Sequence, residues 1–174
     1  ILSHDQFSRI NQPVEIQVSL MQELTTVLKD EMQDVEDKQE KKRLETRLYK
    51  YEQKIAALVD TPKDQGVLDF SQLGIDFLMV DESQEFKNLE FSTTKKNVRG
   101  LGNPLGSKKA FNMLVACRYL QNMYKADKGI IFSSGTPISN TMAELYLLFK
   151  YLRPNKMKET GITSFDRWAA NFAN

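Results

Sequence analysis

Apolar and polar positions alternate in two ways along this chain, as helical stripes in its first third and as short apolar runs later. Leu44, Leu48, Tyr51, Ile55 and Leu58 recur at spacings of four, three, four and three, which is the seam of a helix packed on another helix. Leu20, Met21, Leu24, Val27 and Leu28 make a second stripe upstream. Neither stripe is long enough to stand alone in water, so residues 15–59 are expected to form an antiparallel helical hairpin. Between the stripes, Lys29 to Arg43 is almost entirely charged, and no Gly or Pro there marks where the chain reverses. Turn formers return at Thr61 to Gly66 and end the second helix.

The later runs read as strands. Phe77 to Val80 is continuously apolar and leads at once into Asp81 and Glu82, while Gly129 to Ser134 is a second short run. An uninterrupted run of this kind predicts a strand buried on both faces, as in a parallel sheet covered by helices. Carboxylates do not belong inside such a strand, so the acidic pair is expected at its carboxyl edge, where open α/β sheets bind ligands. Two readings of the pair stand at this point: a strand that ends in a solvated acidic turn, or a site for a divalent cation and an activated water.

Helical patterns fill the remainder. Ser107 is a suitable N-cap for a helix whose apolar face includes Ala110, Met113, Leu114, Cys117 and Leu120. Cys117 on that face reads as a core residue. Thr141 to Glu144 has the capping-box pattern at the head of a helix through Leu145, Leu148 and Leu152 that Pro154 closes, and Thr163 to Phe172 reads as one more amphipathic helix. Trp168 reads there as a packing residue in preference to a stacking platform. The predicted class is therefore α/β: a partial parallel sheet flanked by helices, with an inserted helical hairpin. Residues 1–14 and 60–174 would form the main body and 15–59 the insertion.

Composition narrows the functions. The chain has 174 residues, 41% of them hydrophobic, enough for one domain with its own core. A net charge of +1 excludes any global attraction to nucleic acid, so contact with DNA would need a local patch. Lys95, Lys96, Arg99, Lys108 and Lys109 supply one around a turn-rich loop. They read either as phosphate contacts without base readout or as a solvated loop. That loop is not a phosphate-binding loop, because Leu105 stands where a second glycine is needed and the order at the helix is Gly-Ser-Lys. One cysteine excludes an internal disulfide and fits a reducing cytoplasm, and no run approaches the ~18 apolar residues of a membrane helix. His4, the only histidine, builds no metal site alone.

Two stretches carry a family resemblance. Asp81-Glu82-Ser83-Gln84 followed by Lys87-Asn88 resembles motif II of the superfamily II helicase-like ATPases, specifically the Swi/Snf type. Ser134-Gly135-Thr136-Pro137, with Asn140, Glu144, Leu145 and Leu148 behind it, resembles motif III. Residues Ile1 to Phe7 are similar to the family segment in which a strand ends before a helix and approaches the DNA backbone. The nearest form is the helicase-like region of large bacterial, phage and conjugative-element proteins, often joined to an adenine-specific DNA methyltransferase.

The resemblance implies part of the first RecA-like lobe of a DNA-dependent ATPase. In it Asp81 would hold Mg²⁺, Glu82 would activate water, and Gln84 would replace the usual histidine, leaving open how motif II signals onward. Ser134, Gly135 and Thr136 would couple nucleotide state to DNA. ATP and Mg²⁺ are expected cofactors of the intact protein. Its expected partners are DNA and the remaining ATPase halves, and the chain, which starts without a methionine, reads as cut from something larger. Lacking the phosphate loop and second lobe, it is expected to be inactive by itself. The alternatives are a non-catalytic scaffold that uses the hairpin to bind a partner, and a restriction-type translocase.

Overall fold

The computed structural model describes residues 1–33, 35–60, 67–93, 106–138 and 142–172. Helices α1 (His4–Ser8), α2 (Val14–Gln33) and α3 (Lys38–Asp60) come first. Strand β1 (Leu78–Val80), helix α4 (Lys108–Tyr124), strand β2 (Ile130–Phe132) and helices α5 (Met142–Leu152), α6 (Pro154–Glu159) and α7 (Phe165–Phe172) follow. The fold is mixed α/β and mostly helical, consistent with a partial RecA-like body.

The two strands pair in parallel, with Leu78 opposite Ile130, Met79 opposite Ile131 and Val80 opposite Phe132. Helix α4 lies between them in sequence, as a parallel pair requires. It is the centre of the molecule: Ala110, Met113, Leu114, Val115, Ala116, Cys117 and Leu120 are all buried, so apolar residues cover most of its circumference. Ser107 accepts the Ala110 N–H and caps it as expected. Burial pushes the Cys117 thiol up to about 12, which makes it a packing group.

The expectation of a strand buried on both faces is overturned. Leu78, Val80, Ile130 and Phe132 pack on the core, whereas Met79 is 73% exposed, Phe77 49% and Ile131 47%. Successive strand residues point to opposite sides, and among the described residues only one side of this sheet is covered. A second correction concerns the start of the chain: Ile1 to Ser3 forms no strand, and the Ser3–Gln6 capping box opens α1 directly at His4.

Helices α2 and α3 form the antiparallel hairpin, with Leu28 and Leu44 at its sealed centre. The reversal falls just before α3, where the Asp37 carboxylate accepts the N–H groups of Gln39 and Glu40 and caps the helix. The hairpin lies along the body. Leu20 of α2 belongs to the main core, and Glu23 meets Lys158 at 2.7 Å. At the other end, the Tyr146, Phe165 and Trp168 rings pack together, and Trp168 is a core residue as expected.

Candidate functional site

Past the ends of β1 and β2 the ladder continues. Ser133 donates its N–H to the Val80 carbonyl at 2.8 Å, and the Ser133 carbonyl accepts the Ser83 N–H at 2.9 Å. These bonds bring Asp81 and Glu82 beside Ser133 and Ser134, and both carboxylates are exposed. From Ser83 to Phe86 the chain makes one tight 3₁₀ turn anchored by the fully buried Phe86 ring. The Tyr151 hydroxyl, 2.9 Å from the Phe86 carbonyl and 3.0 Å from that of Ala110, locks this turn to α4 and α5. Glu82, just before the turn, has φ 50° and ψ 46°. That left-handed conformation costs a residue with a Cβ about 1–2 kcal/mol.

Gln84 joins the two tips. Its Nε2 donates to Glu82 Oε2 at 2.5 Å, and its Oε1 accepts the Ser134 hydroxyl at 2.6 Å. Ser134 Oγ in turn accepts the Thr136 N–H at 3.1 Å. The result is one directed chain of hydrogen bonds from Thr136 through Ser134 and Gln84 to the Glu82 carboxylate. A primary amide suits the middle of such a chain because it donates at one end and accepts at the other. A second link runs beside it, with Lys87 Nζ 3.6 Å from Glu144 Oε1.

Not every expected residue joins this junction. Gly135 is exposed and a Cβ there would meet open space, so nothing around it demands a glycine. Lys95, Lys96 and Arg99 lie outside the described residues, as do Asn140 and the capping residue Thr141. Lys109 is engaged at home: its Nζ lies 3.3 Å from Glu85 Oε2 and 5.1 Å over the Phe86 ring. Lys108 is exposed and, with Tyr51, Lys54 and Asn112, lines a cleft of about 480 Å³ between the hairpin and the start of α4. Just before α4, Gly106 (φ 66°) is required, since a Cβ would fall 2.6 Å from the Glu90 nitrogen.

Two residues escaped sequence reasoning. His4 Nε2 sits 2.9 Å from the Asp81 carbonyl oxygen, directly behind the acidic pair. Arg47 of α3 reaches the segment that follows the motif turn, where its guanidinium donates to Glu90 Oε1 at 3.2 Å, to the Phe91 carbonyl at 3.3 Å and to Ser92 Oγ at 3.4 Å. The Ser92 hydroxyl donates onward to Glu31 Oε2 at 2.5 Å, and Lys150 Nζ donates to the Glu90 carbonyl at 3.0 Å. Burial raises the Glu31 carboxyl above its usual range and pushes the Lys150 amine down to about 8. No local pattern announces either contact.

Among the described residues no group of three or more His, Cys, Asp or Glu side chains is placed to hold a metal ion by itself. Asp81 and Glu82 nevertheless fit Mg²⁺ carried in with a nucleotide, because that ion takes one or two carboxylates, keeps several waters and draws the rest of its shell from phosphate. Among the described residues no helix is long and apolar enough to cross a membrane. No characterised protein and no solved structure matches the chain. One family model does match it, over residues 1–174, and its description is "Probable helicase domain". The chain therefore belongs to that helicase-domain family.

Proposed function

We propose that this chain is the part of a DNA-dependent ATPase lobe that activates water and relays nucleotide state, within a translocase of the Swi/Snf type. The observation that carries the reading is the hydrogen-bonded path from Glu82 through Gln84 and Ser134 to Thr136. A solvated acidic turn has no need of such a path. A motor does, because a change at the hydrolytic carboxylate must be felt at a second loop.

The roles follow from the atoms. Asp81 would hold the Mg²⁺ of Mg-ATP, and that ion would supply charge neutralisation on the phosphates. Glu82 orients the attacking water and takes its proton on Oε1, since Oε2 is committed to Gln84. Gln84 replaces the histidine usual in this motif and keeps a donor and an acceptor in the relay. Ser134 and Thr136 carry the signal toward DNA, with Gly135 as the link between them.

The partners in this reading rest on one described surface and on the basic residues of the sequence. The uncovered side of the sheet, with Phe77, Met79 and Ile131, suits the remaining ATPase halves, which bring the phosphate-binding loop. DNA would be held through its backbone by Lys95, Lys96, Arg99 and Lys108, with Lys109 serving mainly to brace Glu85 and Phe86. Fusion to an adenine-specific methyltransferase and a cytoplasmic setting belong to the same proposal and rest on the motif resemblance.

The test is Glu82→Gln in the full-length protein. DNA-stimulated ATP hydrolysis should fall by roughly 10³-fold with ATP affinity little changed. Turnover at the wild-type rate would remove Glu82 from this role and the hydrolytic reading with it.

A further inference from the structure

Among the described residues other than glycine, only Glu82 and Lys125 occupy the left-handed region. Lys125 ends a helix, where that conformation is ordinary. Glu82 has no such reason, and a side chain is kept there only where its surroundings over-determine the backbone. Three hydrogen bonds do so. The Ser83 N–H donates to the Ser133 carbonyl at 2.9 Å, the Glu85 N–H donates to the Glu82 carbonyl at 3.0 Å, and the third joins the Asp81 carbonyl to His4 at 2.9 Å. The first two belong to the turn and its neighbouring strand. The third comes from α1, 77 positions away.

We propose that His4 is a positioning residue for the acidic pair. Its Nε2–H donates to the Asp81 carbonyl, fixes the peptide plane between Asp81 and Glu82, and so holds Glu82 in the conformation that presents its carboxylate to Gln84 and to substrate. A carbonyl oxygen only accepts, so the bonded ring nitrogen carries a proton. His4 is itself held from two directions. Its ring stands edge-on to the buried Phe86 at 5.0 Å, and the short helix bearing it is fastened by the Ser3–Gln6 capping box and by Phe7, whose ring also meets Phe86. The N-terminal segment and the motif turn are thereby one mechanical unit. This role presupposes the hydrolytic function proposed above and adds to it a residue outside both motifs.

The experiment is steady-state ATP hydrolysis by the full-length protein with saturating DNA, in wild type, His4→Phe, His4→Gln and Glu82→Gln, each with its thermal midpoint. Phenylalanine keeps the ring edge on Phe86 and deletes the donor, while glutamine places an amide N–H near the position of Nε2. His4→Phe should lower kcat about tenfold with KM for ATP within about twofold, and His4→Gln should recover to within about threefold of wild type. Wild-type kcat in His4→Phe, or equal losses in both His4 variants, overturns the positioning role. If His4→Phe does not fold, His4→Leu, which also lacks the donor, takes its place and is judged by the same two outcomes. An inactive Glu82→Gln beside a fully active His4→Phe refutes His4 alone, whereas a fully active Glu82→Gln refutes the hydrolytic reading itself.

Discussion

The strand-tip junction and the polar seam between the hairpin and the main body are both clusters of polar groups, and they are built on opposite terms. At the junction the charges are exposed, where ionised carboxylates cost little, and the ordering is done by backbone bonds and by one amide, Gln84. In the seam Glu31, Arg47, Glu90 and Lys150 are drawn largely out of water and share a small set of partners. A buried ion costs several kcal/mol unless its partners are in place. The seam therefore specifies where the hairpin sits, while the junction keeps its charges available to a ligand.

Three measurements sharpen or break this contrast on the scale of stability. Arg47→Ala removes the cation shared by Glu90, Phe91 and Ser92 and should cost about 2–3 kcal/mol in chemical denaturation. A loss under about 0.5 kcal/mol would mean that apolar packing alone seats the hairpin.

Lys150 gives the next effect. Its amine titrates at about 8 when folded and near 10.5 when free, so between those values the unfolded chain binds more protons and stability must rise with pH. Below about pH 8 both states are protonated and the cost of burying the charge is fully present. Lys150→Met should flatten that rise, as read from thermal midpoints at about pH 8 and pH 10. An unchanged slope would show that the amine reaches water.

Gln84→Leu should move stability least, by no more than about 0.5 kcal/mol, yet lower ATP turnover of the intact protein about tenfold. A stability loss above about 1 kcal/mol with normal turnover would make the relay a structural brace and erase the contrast.

The parts of the fold legible in the sequence are those that depend on neighbours along the chain. The two stripes gave the hairpin, and Ser107 with Ala110, Met113, Leu114 and Cys117 gave α4 and its buried face. The reversal carries no Gly or Pro, and what marks the start of α3 there is the Asp37 carboxylate that caps it. The run from Phe77 to Val80 reports how apolar the strand is and carries no record of which neighbours cover it, so its open side was misread.

At the site, the position of the acidic pair at the carboxyl end of its strand followed from the apolar run before it. The use made of Gln84 did not, because bridging Glu82 and Ser134 depends on a separation that only the parallel register sets. His4 and Arg47 were invisible for the same reason: their partners lie 77 and more than 40 positions away.

The half-covered sheet also governs how this polypeptide behaves at the bench. Met79, Ile131 and Phe77 form an exposed apolar strip on the open side of the sheet, and apolar surface of this kind seeks company in concentrated solution. Two copies meeting strip to strip would hide it.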